Sequence, residues 1–277
     1  MKNGCRCQMI FRKEFFMNQK QKQKKEIAIS TATVHENRYS IFQPTDRPTE
    51  KTIVMQIKNG TIKVKGKLGQ NHKDILELIK HTHIKFGYTQ DGRLAFLLDS
   101  YQIRKALAGG KGEYSHKTFW SFLQDLIQTY VEIDTPTFKV AGNFLAHAVE
   151  SKIEVAHSKT GKPRKLLRIE FSKLGTTLIE NDIKLFYDPI PIAKLSHGVS
   201  KALARYCLSH KNQPNGGWKI DILLKVILGK DAKPQAIKDA KRFLKKDIEQ
   251  LKKCGIYIEN GRVFLDRNTE SSQTLEK

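Results

Sequence analysis

Apolar and polar residues alternate with different periods along the chain, and the changes of period mark its elements. In "TIVMQIKNGTIKVKG" (52–66) and "GIYIENGRVFL" (255–265), apolar residues recur at every second position on both sides of an Asn-Gly pair. Period two is that of a half-buried strand, and Asn-Gly supplies the two positive-φ residues of a type I′ turn, so both stretches predict β-hairpins. "KFGYTQDGRLAFLLD" (85–99) predicts a third hairpin, turning at Asp91-Gly92. The strands "FKVAGNFLAHAVES" (138–151) and "KIEVAHSKTGKPRKLLRIEFS" (152–172) follow later.

Elsewhere the period is helical. A helix is predicted from Asn71 to about Ile84, with Ile75, Leu78 and Ile79 inward, and a short one, capped by Asp99 or Ser100, through Leu107. A longer helix runs from His116 to Val131. Its Phe119, Trp120, Phe122, Leu123, Leu126, Ile127 and Tyr130 cover an arc of roughly 180°. Ser196 can cap a helix through about His210, "KIDILLKVILG" ends one at Gly229, and a last helix runs from Pro234 to Gly255.

Each half of the chain therefore reads as short helix, longer helix and hairpin. The predicted fold class is α+β, with two tandem winged helix-turn-helix domains at 51–191 and 192–267. Residues 1–50, with the low-complexity "NQKQKQKKE" and the proline-marked "FQPTDRPTE", read as a disordered, flexible basic tail and linker, and 268–277 as a C-terminal tail. Met9 and Met17 are alternative starts to Met1.

The last helix separates its side chains by chemistry. Ile237, Ala240, Phe243, Leu244, Ile248, Leu251 and Cys254 share an arc of roughly 140°. Lys238, Lys241, Arg242, Lys245, Lys246, Lys252 and Lys253 share the neighbouring arc, interrupted only by Glu249. Such an arc is either a solvated lysine face or a nucleic-acid reading head, and the tight hairpin that follows favours the head. Gln235, Lys238, Arg242 and Lys245 are the candidates to reach base edges. Lys241, Lys246, Lys252 and Arg262 of the wing complete the DNA-contacting set.

The helix of the first domain has almost no positive charge. Phe119, Trp120, Leu123 and Ile127 make it a packing surface, against its own sheet or a partner subunit. The DNA contact expected there is the wing tip "HSKTGKPRK", with Lys159, Lys162, Arg164 and Lys165, set against the plainer reading of a solvated loop.

Charge narrows the partners. The chain has 277 residues, 50 Lys+Arg against 28 Asp+Glu, a net charge of +22 and a pI near 9.8, and such a field attracts polyanions. No run reaches the roughly 18 apolar residues of a membrane span, and the N-terminus shows no signal-peptide core. A cytoplasmic protein is expected, with no membrane partner. The four cysteines form no pair of CxxC units, which argues against a zinc ribbon.

Catalytic motifs are absent or mis-spaced. "AGGKGEYSHK" and "LGKDAKP" lack the spacing of a phosphate-binding loop. His81-Thr82-His83 suggests the metal site of a rolling-circle nickase, but side chains two apart diverge by about 200° on a helix. No catalytic residue, metal or cofactor is assigned, and the expected protein is not an enzyme.

Two winged helices in one basic chain resemble the bacterial plasmid replication initiators. The resemblance runs from about Leu97 to Asp266 through "GNFLAHAVES", the strand "LLRIEFSKLGTTLIEN" leading into "IPIAKLSHGVSKALARYCLSH", and the last helix and wing. The RepC-type initiators of IncQ plasmids are nearest and the TrfA and RepA types more distant. Lys238, Lys241 and Lys245 fall where that family's third helix is basic, while Asp239 departs from the pattern. The resemblance implies binding to direct repeats (iterons) in double-stranded origin DNA, opening of an adjacent AT-rich stretch, and loading of a separately encoded helicase, with self-dimerisation an option. A transcriptional regulator, including one repressing its own gene, and a metal-dependent nickase are the alternatives.

Overall fold

The computed structural model describes residues 29–57, 60–109, 112–156, 161 and 163–266. The first winged helix begins with helix α2 (Gln70–Thr82) and the hairpin β4 (Lys85–Tyr88) and β5 (Leu94–Asp99). Helices α3 (Ser100–Leu107) and α4 (His116–Gln128) follow, capped by the Asp99 carboxylate and the Ser115 hydroxyl. The wing hairpin, β8 (Leu145–Ala156) and β9 (Pro163–Phe171), completes an antiparallel sheet ordered β4-β5-β9-β8. Between α4 and β8 the chain detours through β6 (Tyr130–Asp134) and β7 (Lys139–Gly142). These add to the hairpin β2 (Lys51–Ile57) and β3 (Gly60–Gly66), giving a second sheet ordered β2-β3-β6-β7.

The second winged helix has the element order its sequence predicts. After the short α6 (Ile190–Ala193), helix α7 (Gly198–Leu208) is followed by β11 (Trp218–Lys219), α8 (Ile220–Leu228) and α9 (Pro234–Lys246). After the short α10 (Ile248–Lys253), strands β12 (Ile256–Glu259) and β13 (Arg262–Leu265) form the wing in a sheet ordered β11-β13-β12. Asn260 (φ 47°) and Gly261 (φ 70°) both take the left-handed conformation that the turn demands.

Five expectations are corrected. Helix α4 stops at Gln128, because Val131 and Ile133 alternate into the core as strand β6 paired with β3, which turns Tyr130 outward. "FKVAGNFLAHAVES" is two strands in different sheets, divided at Asn143-Phe144, where Phe144 drops into the core. "KLGTTLIEN" is helix α5 (Lys173–Asn181), not strand; Ser172 caps it and Leu174, Leu178 and Ile179 are buried at helical spacing. The last helix breaks at Asp247. Its carboxylate turns back to accept the Ser196 and His197 N–H groups at 3.2 and 3.1 Å, and Ser196 does not cap α7, whose N-cap is His197 with no side-chain cap bond.

The fifth correction is the largest. The expected flexible tail and linker through residue 50 is folded from Ile29 onward; residues 1–28 and 267–277 lie outside the described residues. Strand β1 (Ala32–Thr33) pairs with β10 (Lys184–Leu185), and helix α1 (Val34–Arg38) follows it. Ile41 and Phe42 then enter the first core. The strap passes so close to α7 that a Cβ on Gly198 would lie 2.5 Å from Thr45 backbone atoms. Proline and charge content suggested a solvated linker, but Glu36 and Asp46 are drawn inward to lysines of α2 and α7, while Arg47 and Glu50 stay exposed.

The two apolar cores are separate. One gathers the two sheets of the first domain with α2–α5. The other gathers α7–α10, the wing, and Ala32, Val34, Leu185 and Tyr187. Between them lies α2, buried on every side from Gln70 to Lys80. Its charged face meets α7 and the strap. Arg205 of α7 reaches Glu77 at 2.7 and 2.9 Å, Asp74 at 2.5 Å and Gln70 at 2.7 Å. Lys201 meets Asp74 at 2.6 Å and Asn71 at 3.1 Å. Glu36 of the strap accepts from Lys73 at 2.8 Å and Lys80 at 3.3 Å, and Tyr187 donates to Glu77 at 2.6 Å. Burial would raise the Glu36 carboxyl, but Lys73 and Lys80 together outweigh it and hold it at about 2. Burial pulls Lys73 down to about 8 against Glu36 and Glu77.

Candidate nucleic-acid interface

Helix α9 is placed by few apolar contacts. Ala240 and Leu244 are buried, and Ile237 and Phe243 pack half-buried against the same core. Two polar links and one ring stack hold its orientation. Lys241 reaches Asp221 on α8 at 2.6 Å, the His197 ring stacks on Phe243 at 4.6 Å, and Asp247 pins the end of α9 to the start of α7. The opposite face carries Gln235, Lys238, Arg242, Lys245 and Lys246, all exposed.

Within that face the cations are not equivalent. Lys238, Lys245 and Lys246 have no acidic partner among the described residues. Arg242 is paired with Asp239 at 3.2 Å, and Asp239 also accepts from Gln235 at 3.1 Å. Asp239, the residue that departs from the family pattern, thus neutralises part of the face. Lys241 is spent on α8, and Lys252 sits beyond the break, paired with Glu249 at 2.8 Å. Arg262 donates to the carbonyls of Gly216 and Gly217 at 2.9 and 3.4 Å, tying the preceding loop to the wing.

Sequence reasoning missed Lys230 and Lys233, both exposed on the turn between α8 and α9. A basic residue just before Pro234, at the positive end of the third helix, was the legible signal.

In the first domain, Phe119 and Leu123 are buried in the core, with Trp120 and Ile127 half-buried against it. Trp120 Nε1 donates to His116 Nε2 at 2.8 Å. This face of α4 packs on its own domain. The exposed side offers Lys117, Thr118, Ser121, Gln124 and Gln128. At the wing, Lys159 and Lys162 lie outside the described residues. Arg164 stacks on Tyr101 at 4.2 Å, with Nε 3.5 Å from Asp99, and Lys165 is exposed opposite Glu154.

His81 and His83 do not converge. The His81 ring is 3.7 Å from Asp188, whereas His83 Nδ1 meets the Lys80 carbonyl at 2.8 Å and its ring packs edge-on to Phe86 and Phe96. Among the described residues no three His, Cys, Asp or Glu side chains gather as metal ligands, and no helix is long and apolar enough to cross a membrane. Cys207 and Cys254 are buried free thiols, and burial pushes Cys254 up to about 12.

The chain is thus an α+β protein of tandem winged helices. No protein-family model and no curated protein matches its sequence. Among solved structures it is similar to a crystal structure of selenomethionine derivatives of domains 2 and 3 of RctB. The identity is 14% and the TM-score 0.49, over 80% of this chain and 90% of that one. A second crystal structure of RctB domains 2–3 matches at 13% identity and a TM-score of 0.46, over 83% and 94% of the two chains.

Proposed function

We propose that this protein is a non-enzymatic, double-stranded DNA-binding replication initiator of bacterial cytoplasm. In this reading it recognises direct repeats at an origin, promotes opening of the neighbouring duplex, and hands the opened site to a separately encoded helicase. The observation that carries the DNA-binding part is the outer face of α9. It is the third helix of a complete winged helix, and it presents lysines that have no acidic partner among the described residues. Helix α9 enters the major groove, where Gln235, Lys238 and Arg242 face base edges while Lys230, Lys233, Lys245 and Lys246 meet phosphates. The initiator part rests on the family resemblance of the sequence.

The test is a gel-shift titration against three duplexes of equal length: the direct repeats nearest the gene, the same half-sites inverted, and a shuffled sequence. Tightest binding to the direct repeats supports the initiator. Tightest binding to the inverted arrangement supports a transcriptional regulator instead, and equal binding to all three removes sequence recognition from the proposal.

A further inference from the structure

The buried charges of α2 have a geometry that a surface helix would not need, and they join two domains whose apolar cores do not merge. At this junction Lys73, Lys80, Lys201 and Arg205 face Glu36, Asp46, Asp74 and Glu77, so four positive groups balance four negative ones. The side chains of Lys73, Lys80, Asp74 and Glu77 have no solvent exposure, and Arg205 is 2% exposed. An apolar junction of this size could slide, because hydrophobic contact has no direction. A charge-matched set of short, forked bonds has one register, since any displacement leaves a buried charge unpaired.

We infer that Arg205, with Asp74 and Glu77, is a positioning residue: it locks the two winged helices into one rigid ruler, fixing the spacing and angle between the α9 head and the first domain. The strap closes the lock from the other side, with Glu36 on Lys73 and Lys80, and Asp46 accepting the Gly198 N–H at 2.8 Å and facing Lys201 at 3.7 Å. A rigid pair of heads engages DNA without ordering a joint on binding, so the second contact comes at high effective concentration. The consequence for DNA rests on the binding reading above; the rigidity does not.

Two measurements on the full chain separate these. Nitroxide labels go on the exposed positions Lys105→Cys of the first domain and Lys225→Cys of the second. Cys5 and Cys7 are replaced by Ser, while Cys207 and Cys254 are buried. Pulsed electron resonance should give one narrow distance distribution in the parent and a broad one in Arg205→Ala. Should Arg205→Ala fail to fold, Lys201→Met serves in its place, because it leaves the Arg205 fork intact and removes only one cation from Asp74; it should broaden the distribution to a smaller degree. A broad distribution in the parent, or an unchanged one in a folded variant, overturns the ruler.

In the second arm, the same proteins are titrated with arbitrary duplexes of about one and about three helical turns. The parent should gain from the longer duplex. Arg205→Ala should keep its affinity for the short one and lose roughly tenfold or more on the long one. A general loss of stability would not discriminate by duplex length, and equal losses on both overturn the positioning role. If the parent binds neither duplex, the DNA-binding reading fails, and the label distances still decide whether the junction is rigid.

Discussion

The salt dependence of DNA binding tests the inequality among the lysines of α9. A cation already paired within the fold releases little on meeting phosphate, whereas a free one displaces about 0.9 counterion. Lys238, Lys245 and Lys246 are free on the outer face, and Lys245 and Lys246 are the two that meet phosphate, so changing all three to alanine should make the log–log slope of affinity against salt shallower by about 1.8. Lys241→Ala, which breaks the 2.6 Å contact with Asp221, should change it by well under about 0.9. Because these are differences from the parent, phosphate contacts elsewhere in the chain cancel. The triple variant should also lose affinity by about two orders of magnitude at moderate salt, if each contact contributes on the order of 1 kcal/mol. Its melting temperature should hold or rise slightly, since alanine is the better helix former and like-charge repulsion is relieved. The assay is fluorescence anisotropy with a labelled duplex over a range of potassium chloride, beside a thermal melt. An unchanged slope in the triple variant would refute the claim that this face meets phosphate, leaving it as a solubility surface.

Three further predictions concern the scaffold. Glu36 is held at about 2 in the folded protein against an ordinary 4.5. Its stabilisation is therefore fully present above pH 4.5 and lost as pH falls towards 2, up to about 3 kcal/mol; Glu36→Gln should flatten that acid limb in melts taken across the range, and identical limbs would count against the pairing. Phe119→Ala, which empties a fully buried site, should destabilise by about 3–5 kcal/mol, and Trp120→Ala by less because Trp120 is only half-buried; denaturant melts giving the reverse order would place Trp120 in the core. Asp247→Ala removes the buried acceptor of the Ser196 and His197 N–H groups ahead of α7 and should destabilise by about 1–3 kcal/mol, with Asp247→Asn recovering part of the loss; no difference between alanine and parent would show that this link carries no energy.

The hairpins and the second winged helix were legible because their signals are local. The Asn260-Gly261 turn, the stop at Gly229 and the start at Pro234 are each fixed by the backbone demands of one or two residues, and all three stand where the sequence places them. The break at Asp247 was not legible, because its cause is a carboxylate reaching a helix start about fifty residues earlier in the chain. For the same reason the burial of the polar face of α2 was not legible. Lys73, Asp74, Glu77 and Lys80 look like the wet side of an amphipathic helix, and only Glu36, Lys201 and Arg205, remote in sequence, turn that side into a buried one. Helix α4 was read three residues too long, because Tyr130 extends its apolar arc in helical period while also opening a strand of period two.

The division of labour on α9 follows from how little apolar surface anchors it. With only Ala240 and Leu244 buried, the helix has a narrow stripe against the core, and a narrow stripe leaves rotation about the helix axis cheap. A helix that must present Lys238, Lys245 and Lys246 in one direction therefore needs directional contacts as well. Lys241 on Asp221, Phe243 under His197, and Asp247 on the start of α7 supply these on three sides. All of them touch α7 or α8, and α7 is also the helix whose Lys201 and Arg205 enter the junction with α2. The orientation of the basic face is thus referred, through one helix, to the buried charges that join the two domains. A substitution at Arg205 should accordingly weaken binding to a duplex long enough for both domains without touching a single exposed lysine, whereas a substitution at Lys238 should weaken binding to short and long duplexes alike and leave the domains in register.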